Sequence, residues 1–420
     1  MRRLRLDNGL RVVLARAAHA PIVAVAVHYD VGFRSEPPGL GGFAHLFEHL
    51  MFQGADGVDV DNHLHLVEAC GGSGNATTQP DFTEYFQIVP AHAIERVLFL
   101  EAARMRAPRL TAEALRVQTA VVREEIRTNV LARPYGGFPW TRLPSVLYRT
   151  HANGHDGYGD VANLERATVA DCHDFHDRYY APTNAVLTIV GAFDEAEVLR
   201  AVQRHFGVLA ARPRPPVPNH AEPASREDRV GEQHDPTAPL PALAVGYRLP
   251  PATQLDRYVA AMLLACVLGR SEHGVLSRRL VVREQVALAL RVRCGLFAPM
   301  QARDPDTFSV VLTHRRTVDP GYLLDAVDEA LAGIAAGGPI EDEVDTARRQ
   351  LRLGIWRADE DLVKRARRIG GYEVLFGRPE LIDEVPARLA TAGGADVAAA
   401  AAGLRAATRG VLRLVPEASS

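Results

Sequence analysis

Lysine is almost absent from this chain. Lys364 is the only one, and arginine supplies the rest of the 48 basic side chains among 420 residues. With alanine also abundant, the skew reads as a composition bias of the genome rather than selection for forked guanidinium contacts. Basic charge is not in excess either: 51 acidic residues give a formal net charge of -3. That leaves no basis for a nucleic-acid surface or an anionic lipid partner. Cysteine is scarce, and Cys70, Cys172, Cys266 and Cys294 form no CxxC pair. A disulfide framework is therefore excluded, and the four read as small buried or half-buried residues. No run approaches the roughly 18 to 20 apolar residues that cross a bilayer. Met1-Arg2-Arg3-Leu4-Arg5-Leu6 is charged but leads into no apolar signal core, so a cytoplasmic protein is expected.

What is present is an ordinary globular composition, 47% apolar and 24% charged, long enough for two or three domains. Leu4 to Leu14 alternates apolar and polar residues around Asn8-Gly9, a hairpin signal with a type I′ turn. Residues 22–29 form a Val-rich third strand. From Gly41 to Phe52 the apolar period turns helical, with Phe43, Leu46, Leu50 and Phe52 on one stripe. A second helix over residues 59–70 ends at Gly71-Gly72. Strands follow at 74–78 and 82–89, then helices at 91–105 and 111–130, the latter capped by Thr111. A strand at 185–190 and a helix at 195–206 close the first half. Pro213, Pro215, Pro216 and Pro218 mark a stiff linker. The expected division is 1–212, a linker at 213–223, and 224–420. The second half shows a strand at 242–247, a helix at 255–268, a strand at 307–313 and further helices, with an Ala-rich surface helix at 398–407. Two related α+β domains are expected, each a mainly antiparallel sheet with helices on one face.

His45-Leu46-Phe47-Glu48-His49 lies within the first helix. Residues four apart share a helical face, so both imidazoles can reach one ion. Glu48 stands beside them, able to take a proton without being a ligand. This order reverses H-E-x-x-H but places the same three groups together. Zinc held in this way acts as a Lewis acid, while a carboxylate moves the proton. The chemistry asks for a third protein ligand, preferably a carboxylate, and one open position. Other polar clusters carry less. His63 and His65 are two apart and face different ways. Cys172, His173 and His176, among Asp171, Asp174 and Asp177, read as a solvated helix. Nothing is assigned to His151 and His155.

Residues Gly41 to Gly54 around the motif resemble the inverted zinc motif of the pitrilysin/insulinase family, in its mitochondrial-processing-peptidase-like branch. Leu6 to Val12 and Val31 to Pro37 match the family's opening. Gly71 to Thr78 and Asp81 to Tyr85 fit its substrate-side strands, and Phe175 to Gly191 its next landmark. The first half is covered closely, the second more loosely. The resemblance implies a half-clamshell fold and a zinc metalloendopeptidase acting on small or unfolded peptides in an enclosed chamber. It implies Zn2+ held by His45, His49 and Glu125, with Glu48 as base. Glu125 is the matching position in Val121-Val122-Arg123-Glu124-Glu125-Ile126; Glu124, one residue away, turns about 100° aside. It also implies that the strand edge at Asn75 and Ala76 pairs with the substrate backbone.

Two positions depart from the family pattern. Where many active relatives carry a second glutamate seven residues before the ligand, this chain has Gln118, which keeps hydrogen bonding but not the charge. Where they offer an arginine and then a tyrosine seven residues on, this chain has Arg283 but Leu290. A homologous subunit supplying the Arg/Tyr pair is therefore expected, as a heterodimer, with a homodimer as the alternative. A non-catalytic assembly subunit of the same family is the rival reading, and zinc hydrolysis of a non-peptide amide a third.

Overall fold

The computed structural model describes residues 1–17, 20–58, 63–159, 161–337 and 341–417. The chain divides into two compact units. The first comprises Met1–Glu124, Gly157–Asn219 and Arg357–Ile382; the second comprises Glu125–Asp156, His220–Trp356 and Asp383–Ser420. One crossing, after Asn219, falls inside the expected linker. A single cut there does not describe the units, however, because residues 125–156 join the second and residues 357–382 return to the first.

The first unit is built on a six-stranded sheet. Its strands are β1 (Arg2–Arg5), β2 (Arg11–Arg16), β3 (Ile22–Tyr29), β4 (Ser73–Thr78), β5 (Thr83–Pro90) and β6 (Ala185–Gly191), in the order β1-β2-β6-β3-β5-β4. Only β2 and β6 run parallel. The expected hairpin is present, pairing Arg5 with Arg11, but its turn is longer than two residues. Gly9 takes the positive φ of 91° alone. Asn8 is buried instead, its amide donating to the carbonyls of Phe206 (2.6 Å) and Leu209 (3.1 Å).

The central strands β3 and β6 are buried along nearly their whole length. This is the signature of a sheet covered on both faces, which corrects the expectation of helices on one face. On one side lie α1 (Phe43–Leu50), α2 (His63–Glu68) and α3 (Ile94–Arg106); on the other lies a helix from near the end of the chain, Leu362–Phe376. Residues 59–62, the expected start of the second helix, lie outside the described residues. α4 (Ala112–Ile126) begins as expected, with the Ala114 N–H donating to Thr111 Oγ1 at 3.1 Å, and continues as π turns over Arg127–Leu131.

The second unit holds β7 (Arg229–Asp235), β8 (Ala242–Arg248), β9 (Ala287–Cys294), β10 (Thr307–His314) and β11 (Arg409–Pro416), in the order β7-β11-β8-β10-β9. Here β7 and β11 are the one parallel pair. Strand for strand this repeats β2-β6-β3-β5-β4 of the first sheet, parallel pair included. The repetition expected from the two halves of the sequence is thus written in the topology. Helix α5 (Leu143–Leu147) lies on this sheet, where Leu143 packs with Ala244 and Leu412. In chain order the remaining helices used below are α6 (Val169–Tyr179), α7 (Glu195–Phe206), α8 (Leu255–Gly269), α9 (Pro320–Gly337), α10 (Leu362–Phe376) and α11 (Gly394–Ala406). The Ala-rich α11 is not merely a surface helix: Val397, Ala401 and Leu404 are buried, and it packs on α8 and α9. Among the described residues no helix is long and apolar enough to cross a membrane.

Candidate metal centre

α1 is short and held at its start. Gly42 precedes it at a φ of 88°, and a Cβ there would stand 2.2 Å from the Tyr158 carbonyl oxygen. Only glycine suits both conditions. The buried Glu36 carboxylate accepts the N–H of Gly42 at 2.8 Å and of Ala44 at 2.7 Å, satisfying first-turn donors that a helix leaves open. Phe43, Leu46, Phe47 and Leu50 are buried. Phe43 and Phe47 meet Phe175 with ring centroids 5.2 and 5.1 Å apart, and Phe47 meets Tyr180 at 4.7 Å. This apolar anchor fixes the rotation of the helix and so directs its polar stripe.

On that stripe the His45 and His49 rings meet edge to face at 4.9 Å, and His45 meets the Tyr158 ring at 5.1 Å. α4 brings up Glu125, half-buried, whereas Glu124 is exposed. One ligand atom from each of His45, His49 and Glu125 lies within 4.8 Å of the other two. Ligand atoms on a tetrahedral zinc stand about 3.4 Å apart, so small side-chain rotations bring this set onto one ion. Two imidazoles and a carboxylate are also a donor set zinc accepts, with a position left open. Among the described residues this is the one group of three or more His, Cys, Asp or Glu side chains arranged to hold a metal.

Glu48 is buried, 8% exposed, and the Thr78 hydroxyl donates to its Oε2 at 2.6 Å. Burial raises the pKa of Tyr85 and Tyr180, and the Glu48 charge adds to both shifts. Asn75 and Ala76 sit on β4, the free edge of the first sheet, opposite Phe86 and Tyr85 of β5. β4 packs beside α1. Gln118 lies on the buried face of α4 together with Leu115, Val122 and Ile126. In the second unit, Arg283 ends a π-helical stretch and is exposed. Leu290 is half-buried on β9 and packs near Gly269 of α8.

Two buried polar networks escaped the sequence reading. In one, Gln87 and Arg104 both donate to Glu101, with His63 Nε2 3.2 Å from Gln87 Nε2 and 3.6 Å from Glu101. The Arg104 guanidinium lies 4.1 Å above the Tyr85 ring. Burial alone would raise the Glu101 pKa, yet Arg104 and His63 bring it down to about 2. In the other, His28 Nε2 lies 3.0 Å from Glu84 and 3.1 Å from the Arg367 carbonyl, while Arg367 Nε donates to Glu84 at 2.9 Å. Gly370 permits this approach of α10: a Cβ there would be 2.4 Å from the His28 ring. The helix of Cys172 and His176 also differs from expectation. Both residues are buried, and His176 Nε2 contacts the Met105 carbonyl at 3.1 Å. The acidic residues of α6 line only its outer face.

Comparison with known proteins gives these positions a context. Residues 11–133 match the description "Insulinase (Peptidase family M16)", and residues 166–351 match "Peptidase M16 inactive domain". His45, Glu48, His49 and Glu125 all fall in the first stretch, outside the one described as inactive. The zinc protease PqqE of Helicobacter pylori is 29% identical over 285 residues, 67% of this chain and 64% of that protein. The uncharacterized zinc protease ML0855 of Mycobacterium leprae is 28% identical over 388 residues, 90% of this chain and 83% of that protein. The crystal structure of a protease from Helicobacter pylori superposes with a TM-score of 0.90 at 23% identity, covering 99% of each chain, which speaks for the fold. With both regions matched in order on one two-unit fold, the chain belongs to the insulinase (M16) peptidase family.

Proposed function

We propose that this chain is a zinc-dependent metalloendopeptidase acting on small or unfolded peptides. The observation that carries the reading is the approach of His45, His49 and Glu125 within 4.8 Å on elements that also present Glu48. Zinc bound by those three groups would supply a Lewis acid for attack on a peptide carbonyl. Glu48 takes the proton of the attacking water and returns it to the leaving amine. The Thr78 hydroxyl, donating to Oε2, orients that carboxylate. The free edge of β4 offers backbone groups to an extended peptide, a mode that reads main chain more than side chain. Gln118 supports the ligand shell as a neutral group.

The same reading includes a second, homologous chain. Leu290 cannot donate a hydrogen bond, so a partner is proposed to bring an Arg/Tyr pair, with Arg283 as this chain's own contribution. A heterodimer is the simplest assembly and a homodimer the alternative. A cytoplasmic setting is supported by four cysteines that are all free. The test is peptide hydrolysis by the purified chain, with its mass in solution, before and after addition of a homologous chain lacking a zinc motif. Weak turnover that rises on mixing is expected. Full turnover by the chain alone, unmoved by any homologue, refutes the partner.

A further inference from the structure

The edge strand β4 has two working faces. Side chains alternate along a strand, and here the alternation is visible in the contacts. Thr78 turns toward Glu48, and Ala76 is buried on the same side. Thr77 turns the other way, where Arg367 of α10 lies 3.4 Å from its hydroxyl. Ser73 and Asn75 share that second face, opposite Ile88 and Phe86 of β5. Beside them opens a cleft of about 620 Å³ within the first unit. Its floor is Ile22, Phe86 and Ile88, and its far wall is Leu362 and Val363 at the start of α10.

We propose that this cleft is a specificity subsite that takes a large apolar side chain, such as Leu, Ile or Phe, of a peptide lying along β4. The proposal rests on the peptidase reading above. A peptide paired with β4 places the residue opposite Thr78 on the metal side. The residues opposite Asn75 and Ser73, three and five positions away, fall on the cleft side. At about 3.3 Å per residue these are roughly 10 and 17 Å from the metal end. The subsite thus reads a residue well removed from the bond that is cut, continuous with the strand edge but on its opposite face.

The cleft's rim carries two carboxylates, yet its walls decide the occupant. Asp361 is committed to α10, accepting the N–H of Val363 (3.0 Å) and Lys364 (3.1 Å) and lying 3.3 Å from Lys364 Nζ. Glu360 is exposed. The five walls named above are all apolar, and the uncharged polar side chains of the cleft, Ser73 and Asn75, belong to β4 itself, so the walls offer no partner to a buried charged head group. A basic side chain would find Glu360 only at the solvent edge.

The test uses the Glu48→Gln protein, so that peptides survive, and fluorescence anisotropy with labelled Gly/Ser-based peptides. Leu, Arg, Glu or Ser is placed at each position in turn. Leu at one position should bind at least about tenfold more tightly than Ser, the order expected for burying much of an aliphatic side chain. Mapping the bond cut by the wild-type chain should put that position three or five residues away. Val363→Asp should reduce the Leu peptide to the level of the Ser peptide while leaving the latter unchanged. An acid suits the first turn of a helix, so α10 should persist. Equal binding of Leu and Ser everywhere, a preference for Arg, or no effect of Val363→Asp overturns the subsite alone. Absence of any peptide binding by zinc-loaded protein overturns the peptidase reading, and the subsite with it.

Discussion

Replacing Glu36 by Ala should loosen the metal helix without touching a ligand. Its carboxylate accepts two first-turn N–H groups of α1, at 2.8 and 2.7 Å, and is only 4% exposed. Hydrogen bonds to a charged group contribute about 1.5 to 3 kcal/mol each, and a buried donor left without an acceptor costs about 1 to 3 kcal/mol. Some of this is recovered by water entering the new space, so the net loss should be roughly 2 to 4 kcal/mol. α1 has only eight residues, too few to hold its own geometry. The displacement should therefore reach His45, the residue after Ala44. A weakening of zinc binding by tenfold corresponds to about 1.4 kcal/mol, and at least that is expected. Glu36→Gln retains one acceptor oxygen and should fall between. Urea unfolding followed by far-UV circular dichroism reads the stability, and competition with a chelating dye reads the affinity. A Glu36→Ala protein that loses less than about 0.5 kcal/mol, the low end for one hydrogen bond, and binds zinc as before would refute the clamp.

Other substitutions separate roles within the site. His45→Ala, His49→Ala and Glu125→Ala should each deplete zinc in elemental analysis, whereas Glu124→Ala, at an exposed position, should not. Gln118→Glu places a charge on the buried face of α4, about two turns before Glu125, and should raise zinc affinity by about tenfold or more, since outer-shell changes commonly act on that scale. An unchanged titration would place Gln118 outside the metal's influence. Glu101 titrates near 2 when folded, below its ordinary value of 4.5. Its stabilisation is therefore complete above about pH 4.5 and lost as pH falls toward 2, about 3 kcal/mol in all. Glu101→Gln should flatten that acid limb, and should also cost roughly 3 to 5 kcal/mol at neutral pH by leaving the Arg104 charge buried and unpaired. Denaturation midpoints across the acid-to-neutral range check both.

The parts of this molecule that could be read from its sequence are those set by near neighbours. β3 has the predicted bounds, β6 and α1 fall within a few residues of theirs, and Thr111 caps the helix it was expected to cap, because period and capping are local. The His45 and His49 face followed from helical spacing. Glu125 rested on the family resemblance; it is half-buried, and Glu124 beside it is exposed. What stayed hidden depends on distant segments. No pattern in residues 362–376 says that this helix covers the first sheet, so the both-faced burial of β3 and the pairing of Arg367 with Glu84 could not be seen. β7 was missed because only alternate residues are half-buried, on a strand as polar as Arg-Val-Gly-Glu-Gln-His-Asp. Glu101 and Arg104 carried a legible signal, opposite charges three apart on a helix. Their spacing alone gave no sign that the pair is wholly buried beneath Tyr85.

The most direct test of the central claim compares wild-type and Glu48→Gln proteins for bound zinc and for peptide turnover, in whichever assembly proves active. One zinc per chain is expected in both, with hydrolysis confined to the wild type. Hydrolysis by the Glu48→Gln protein at the wild-type rate, or a fully active wild type carrying no metal, would contradict it.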